Sequence, residues 1–258
     1  MTDNELYKKD LYTRKVKYLI NEIYEYDISK ANISILLQYG YINQDQFNQY
    51  LRLPKPERER LIGLLQKDPK VSKMISNGFR ESRKALINAN HLTEDDIVSI
   101  KKDAFYVLKP LQYTDFGNIH FTYRNKYNMY IYCRGIEIYY GINTIDNTGD
   151  ILDIKGISDD KLALHENYLS FISFILKLIV TDRTELALQS ILDFIQSYDT
   201  RTLDLSYYRE FNATSAYHIG SYGVMFLEEE YKNVLNISYN QAFNRELFSI
   251  IMSIHYKR

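Results

Sequence analysis

The stretch Ile97-Val98-Ser99-Ile100-Lys101-Lys102-Asp103-Ala104-Phe105-Tyr106-Val107-Leu108 reads as strand, turn, strand. β-Branched and aromatic residues fill both arms, and the polar Lys101-Lys102-Asp103 lies between them. A hairpin at this point implies an antiparallel sheet. Three further strands are expected downstream, at 117–124, 128–134 and 136–142, each rich in Tyr, Ile or Phe. Ile151 to Gly156 reads as a sixth short strand or turn.

Outward from these strands the pattern turns helical. On the N-terminal side, Pro54 and Pro56 mark a break and a helix start. Leu61, Ile62, Leu64 and Leu65 then follow a charged first turn, so a helix is expected from Glu57 to Gln66. Asp68-Pro69 punctuates, and a second helix is expected from Lys70 to Asn88. The first twenty-odd residues alternate charge with Tyr and Leu at helix-like spacing. On the C-terminal side, Leu169, Ile172, Leu176, Ile179, Leu188, Ile191, Leu192 and Ile195 give residues 163–198 a sustained helical period. The expected class is α+β. A sheet domain spans 1–157 with a helical insertion at about 41–95, and a mostly helical part spans 158–258.

The bulk numbers narrow the function. The chain has 258 residues, 45% hydrophobic and 25% charged, the composition of a globular protein with a proper core. Its one cysteine, Cys133, excludes an intramolecular disulfide and a cysteine zinc cluster. The five histidines lack metal-ligand spacing. The start, Met1-Thr2-Asp3-Asn4-Glu5, does not resemble a signal peptide, and the apolar run Phe171 to Val180 is short for a membrane span. A cytoplasmic location is expected. Twenty-five tyrosines, no tryptophan and frequent Asn, Ile and Lys suggest AT-rich coding, common in phages of low-GC hosts.

Charge is unevenly spread. Residues 1–134 carry 22 basic and 16 acidic side chains, whereas residues 135–258 carry 10 and 17. The basic excess concentrates in 52–84, with 10 basic against 4 acidic, including Arg58, Arg60 and Lys67. Such a face can hold phosphates, or it can be an ordinary solvated helix surface.

No Walker loop, dinucleotide glycine pattern or Gly-x-Ser-x-Gly elbow is present. Two acids, Asp27 and Asp103, stand 76 residues apart at expected strand ends. Carboxylates converging from two strands can hold Mg²⁺ or Mn²⁺, which takes hard oxygen ligands and lets substrate phosphates supply the rest. Turn chemistry and solubility are the alternative roles for such residues.

These residues occur in an order that resembles the palm and thumb of family B DNA polymerases. Asp27 leads into Asn32-Ile33-Ser34-Ile35, similar to the first palm motif. Lys73-Met74-Ile75-Ser76-Asn77-Gly78-Phe79 is similar to the fingers motif, with its aromatic one position early. Lys101-Lys102-Asp103-Ala104 stands where the family has its second palm hairpin, with Lys101 replacing the first acid. Arg124-Asn125-Lys126-Tyr127 resembles the primer-contacting segment, and Lys155-Gly156-Ile157 the element before the thumb. The resemblance covers about residues 22–210 and has no room for an exonuclease domain.

It implies a palm-like sheet, a helical fingers insertion and a helical thumb-like part. The implied activity is template-directed nucleotidyl transfer by a minimal, phage-encoded polymerase or primase-like protein. Asp27 and Asp103 would bind the metal. Lys73, Asn77, Arg58 and Arg60 would hold a nucleoside triphosphate, with Asn32 standing where the family excludes the ribose 2′-hydroxyl. Lys126 and Tyr127 would meet a primer–template, with Lys101 and Lys102 near phosphate. Other replication subunits are implied partners. Two rival readings are a palm-derived nucleic-acid-binding subunit without chemistry and a phage structural or host-interaction protein.

Overall fold

The computed structural model describes residues 5–142, 149–208, 217–218, 224–225 and 238–257. Much of the tyrosine-rich stretch after residue 208 lies outside them. Two compact units are present. One comprises the residues up to Arg14 together with Glu22–Lys126, the other Lys15–Asn21 with Tyr127–Arg258.

In the first unit, Leu11–Thr13 (β1) and Tyr18–Ile28 (β2) are strands, β2 running on from the second unit. The helix-like spacing of the N-terminal residues is therefore overturned, apart from one 3₁₀ turn at Glu5–Lys8. Strand partners decide the conformation here: Leu11, Tyr12 and Thr13 pair antiparallel with Lys101, Ile100 and Ser99. Four helices follow, Ala31–Gln38 (α1), Gln44–Arg52 (α2), Lys55–Leu65 (α3) and Pro69–Ala89 (α4). Each later start has a local cause. Asn43 and Gln46 form a capping box for α2, Pro54 and Pro56 open α3, and Asp68 caps α4 by accepting from the Lys70 N–H at 2.9 Å. Ile97–Lys101 (β3) and Ala104–Val107 (β4) form the expected hairpin, and Asp115–Phe116 (β5) pairs with the start of Ile119–Cys133 (β6).

The strand order in this unit is β1-β3-β4-β2-β6. The period of two along β2 sends Tyr24, Tyr26 and Ile28 into a core with Ile33, Leu36, Ile75, Leu86, Ile100, Phe105 and Phe121. Glu25 and Asp27 consequently belong to the opposite face. Gly78 marks the closest approach of α4 to α1: a Cβ there would lie 2.2 Å from Ile35 Cγ2.

The strands expected at 117–124 and 128–134 are one continuous strand, β6. The polar run that suggested a break is satisfied across the sheet. Arg124 bonds Asp27, Asn125 bonds Glu25 at 2.8 Å, and Lys126 bonds Glu22. Cross-strand partners of this kind let polar residues stay in extended conformation.

In the second unit, β6 pairs with Ile136–Gly141 (β7), which pairs with Ile151–Lys155 (β8), all antiparallel. The β6–β7 turn uses Arg134 and Gly135 at φ 50° and 83°. Helices Asp159–Leu162 (α5), Glu166–Val180 (α6), Thr184–Asp199 (α7) and Ser238–His255 (α8) follow, with the two-residue strands Tyr217–His218 (β9) and Val224–Met225 (β10) paired to each other. Ile131, Ile138, Ile175, Leu176, Ile191, Phe194, Phe243 and Ile251 share one core. Sheet and helices therefore close a common interior. The units divide within β2 and β6, whereas composition suggested a boundary at 157/158. Asp159–Val180 forms a helical run of 22 residues containing an 18-residue window of mean hydropathy 1.3, longer than the apolar stretch suggested. Its Tyr168, Ile172, Ile175, Leu176, Leu178 and Ile179 are packed into that core.

The architecture is α+β, built on an antiparallel sheet with a helical insertion between β2 and β3 and a helical C-terminal part.

Candidate functional site

Asp27 and Asp103 meet through backbone pairing. In the β2–β4 register Asp27 stands opposite Ala104, and Asp103 lies in the turn just before that strand, its backbone across from Ile28. The Ile28 N–H donates to the Asp103 carbonyl at 2.9 Å. The next residue, Ser29, donates its N–H to the His120 carbonyl at 2.9 Å and holds the end of β2 to β6. The tight turn that presents Asp103 requires Lys102 in the left-handed region at φ 55°.

Electrostatics set Asp27 apart. Burial raises its pKa most, the negative charge of Asp103 adds to that, and Arg124 opposes both. The Arg124 guanidinium donates to Asp27 Oδ2 at 3.1 Å. Asp27 Oδ1 is buried without a hydrogen-bond partner among the described residues. A buried carboxylate oxygen normally has one. An unmatched carboxylate oxygen is a hard donor of the kind a divalent cation takes, and the charge of Asp103 acts on it.

The set is small. Glu25 is on the same face and adds to the raised pKa of Asp27, but its own oxygens accept from Tyr106 at 3.0 Å and Asn125 at 2.8 Å. Among the described residues no group of three or more His, Cys, Asp or Glu side chains is arranged to hold a metal. Water or a substrate's phosphate oxygens would have to complete the coordination.

Arg83 escaped the sequence reading and holds the site together. Its side chain is fully buried on α4. Nε and Nη2 donate to the Lys102 carbonyl at 3.1 and 2.7 Å, and Nη1 donates to the Lys9 carbonyl at 2.7 Å and to Asp10 Oδ1 at 3.3 Å. The turn before Asp103 is thereby clamped from behind. A signal was present: Arg83 follows Phe79 by four residues and precedes Leu86 by three, on the inward side of an amphipathic helix.

The other predicted residues are dispersed. Arg124 and Lys126 reach the acids of β2, as described. Lys73, Asn77, Arg60 and Lys67 are exposed and Arg58 half-buried on or beside α3 and α4; none of the five makes a side-chain hydrogen bond or ion pair among the described residues. Asn32 is half-buried in the first turn of α1. Lys101 donates to Thr13 Oγ1 at 3.0 Å, toward β1, and Lys102 is exposed. Tyr127 departs most from expectation. It is fully buried in the second unit, its ring 5.3 Å from that of Tyr139 and its hydroxyl donating to Asp153 at 3.3 Å, so it presents no face to a primer strand.

Residues 1–253 match the Bacteriophage PBS1 gene 130 protein family, and the chain belongs to that phage protein family. No curated protein matches it.

Proposed function

We propose, with membership of a phage protein family as the premise, that the first unit is a palm-like module for template-directed nucleotidyl transfer in the host cytoplasm. The observation that supports this reading is the β2–β4 pairing, which brings the turn carrying Asp103 to the end of the strand carrying Asp27. The element order supports it: an acid-bearing strand, a helix, a helical insertion, and an acid-bearing hairpin returning to the first strand. That is the order the family B polymerase resemblance implies.

In this reading Asp27 and Asp103 hold Mg²⁺ or Mn²⁺, and Asp27 Oδ1 is the oxygen free to do so. A bound divalent ion supplies Lewis acidity toward phosphoryl oxygens. Lys73, Asn77, Arg58 and Arg60, unengaged on the insertion, contact the triphosphate of a nucleoside triphosphate. Lys126 and Arg124 lie along the primer–template, with Lys102 near phosphate. Other replication subunits complete the assembly.

A second reading has a specific observation in its favour. Arg124 already neutralises Asp27, and Lys101 replaces an acid. Both fit a palm-derived nucleic-acid-binding subunit without chemistry. Primer extension with Mg²⁺ or Mn²⁺, beside Asp103→Asn, separates the two. Extension by the parent chain and its loss in the variant support transfer. A parent chain that binds primer–template but never extends it supports the binding subunit, and one that binds no nucleic acid points to a structural or host-interaction role.

A further inference from the structure

We propose that a basic groove in the second unit binds the phosphate backbone of a nucleic acid. The groove has a volume of about 440 Å³ and lies between the segment leading into β2, the end of β6, and α8. Lys15, Lys17, Arg134 and Arg245 line it, together with Tyr132 and Glu246.

Three observations carry the inference. The first is charge against background. The second unit, Lys15–Asn21 with Tyr127–Arg258, carries 17 acidic and 13 basic side chains, yet this groove gathers four cations and one acid. The second is pairing. Glu246 is matched by Arg134 at 3.7 Å. Lys15, Lys17 and Arg245 make no side-chain hydrogen bond or ion pair among the described residues. Like charges gathered without a counter-charge repel, and an anionic ligand relieves that repulsion. The third is the character of the lining. All three unpaired cations are exposed on long flexible stems, which suits an extended polyanion, read as charge, better than a small anion enclosed by fixed donors. Tyr132, half-buried at the groove wall, offers a ring on which a base can stack.

This site uses neither Asp27 nor Asp103 and stands or falls apart from them. The test is fluorescence anisotropy of the full chain with labelled single-stranded and duplex oligonucleotides of about 20 nucleotides, long enough to cover one binding site, across a salt series. The charge-reversed variant K15E/K17E/R245E is compared with the parent and with the neutral variant K15Q/K17Q/R245Q. Circular dichroism checks that each is folded.

The expected result is a loss of roughly tenfold or more in affinity for the reversed variant, a smaller loss for the neutral one, and a salt slope shallower by about 2 to 3. Unchanged affinity and slope in the reversed variant would overturn the proposal. So would a parent that binds no oligonucleotide, or one that instead sediments only with phosphatidylserine vesicles. Absent primer extension alongside the expected slope change would sink the two-acid reading and leave this one standing.

Discussion

Strand β6 behaves as two chemically different strands joined end to end. Its portion up to Lys126, in the first unit, carries Arg124, Asn125 and Lys126, each bonded to an acid of β2. Its portion from Tyr127, in the second unit, buries Tyr127, Met129, Tyr130, Ile131 and Cys133 completely. Backbone pairing is the same kind in both, but the forces on the side chains differ. The first portion buries Ile119 and Phe121 but adds ion pairs from Arg124 and Lys126 that stay partly solvated and can be exchanged for a ligand. The second is held by apolar burial, which fixes shape and leaves nothing to exchange. The candidate chemical site therefore lies with the first, while the second supplies a rigid core.

The comparison predicts where stability is most fragile. Phe194→Ala removes a ring that contacts Tyr168, Phe171, Tyr198, Tyr207 and Phe248 in the second core. Urea denaturation should show a loss of about 3–5 kcal/mol. Arg83→Met, the counterpart in the first unit, deprives the Lys102 and Lys9 carbonyls of their donors. A loss of about 3 kcal/mol is expected, with partial recovery in Arg83→Lys. Equal effects of Arg83→Met and a surface substitution would remove the clamp from the account.

The cross-strand charges should matter much less. A double-mutant cycle on Asp27 and Arg124 should give a coupling of at most about 1 kcal/mol, because both side chains remain partly exposed. A pH series tests the same pair from the other side. The pKa of Asp27 is raised, so between its ordinary value of 3.8 and its folded value the folded chain holds a proton that the unfolded chain has released. Parent stability relative to Asp27→Asn should therefore fall as pH rises through that window and level off above it. The opposite slope would mean that Arg124, and not burial, dominates.

The sequence disclosed the hairpin at 97–108, the helical insertion and the helical C-terminal part because each rests on local period and punctuation. It misread the N-terminal residues and the middle of β6, where cross-strand partners override local pattern. The nearness of Asp27 to the Asp103 turn could be suspected from order alone, but only register establishes it. For Arg83 the inward helix position was legible but the role was not: its partners are carbonyls of Lys9 and Lys102, distant in the chain and invisible to motif reading. Tyr127 failed as a contact residue because nothing local reveals which face of a strand is covered.

The central claim is that Asp27 and Asp103 together form a cation site, and Mn²⁺ titration of the full chain followed by electron paramagnetic resonance tests it most directly. Saturable binding is predicted in the parent, lost in both Asp27→Asn and Asp103→Asn, and tightened in Arg124→Ala, where the competing guanidinium is gone. Binding that is absent in the parent, or unchanged when either carboxylate is removed, would contradict it.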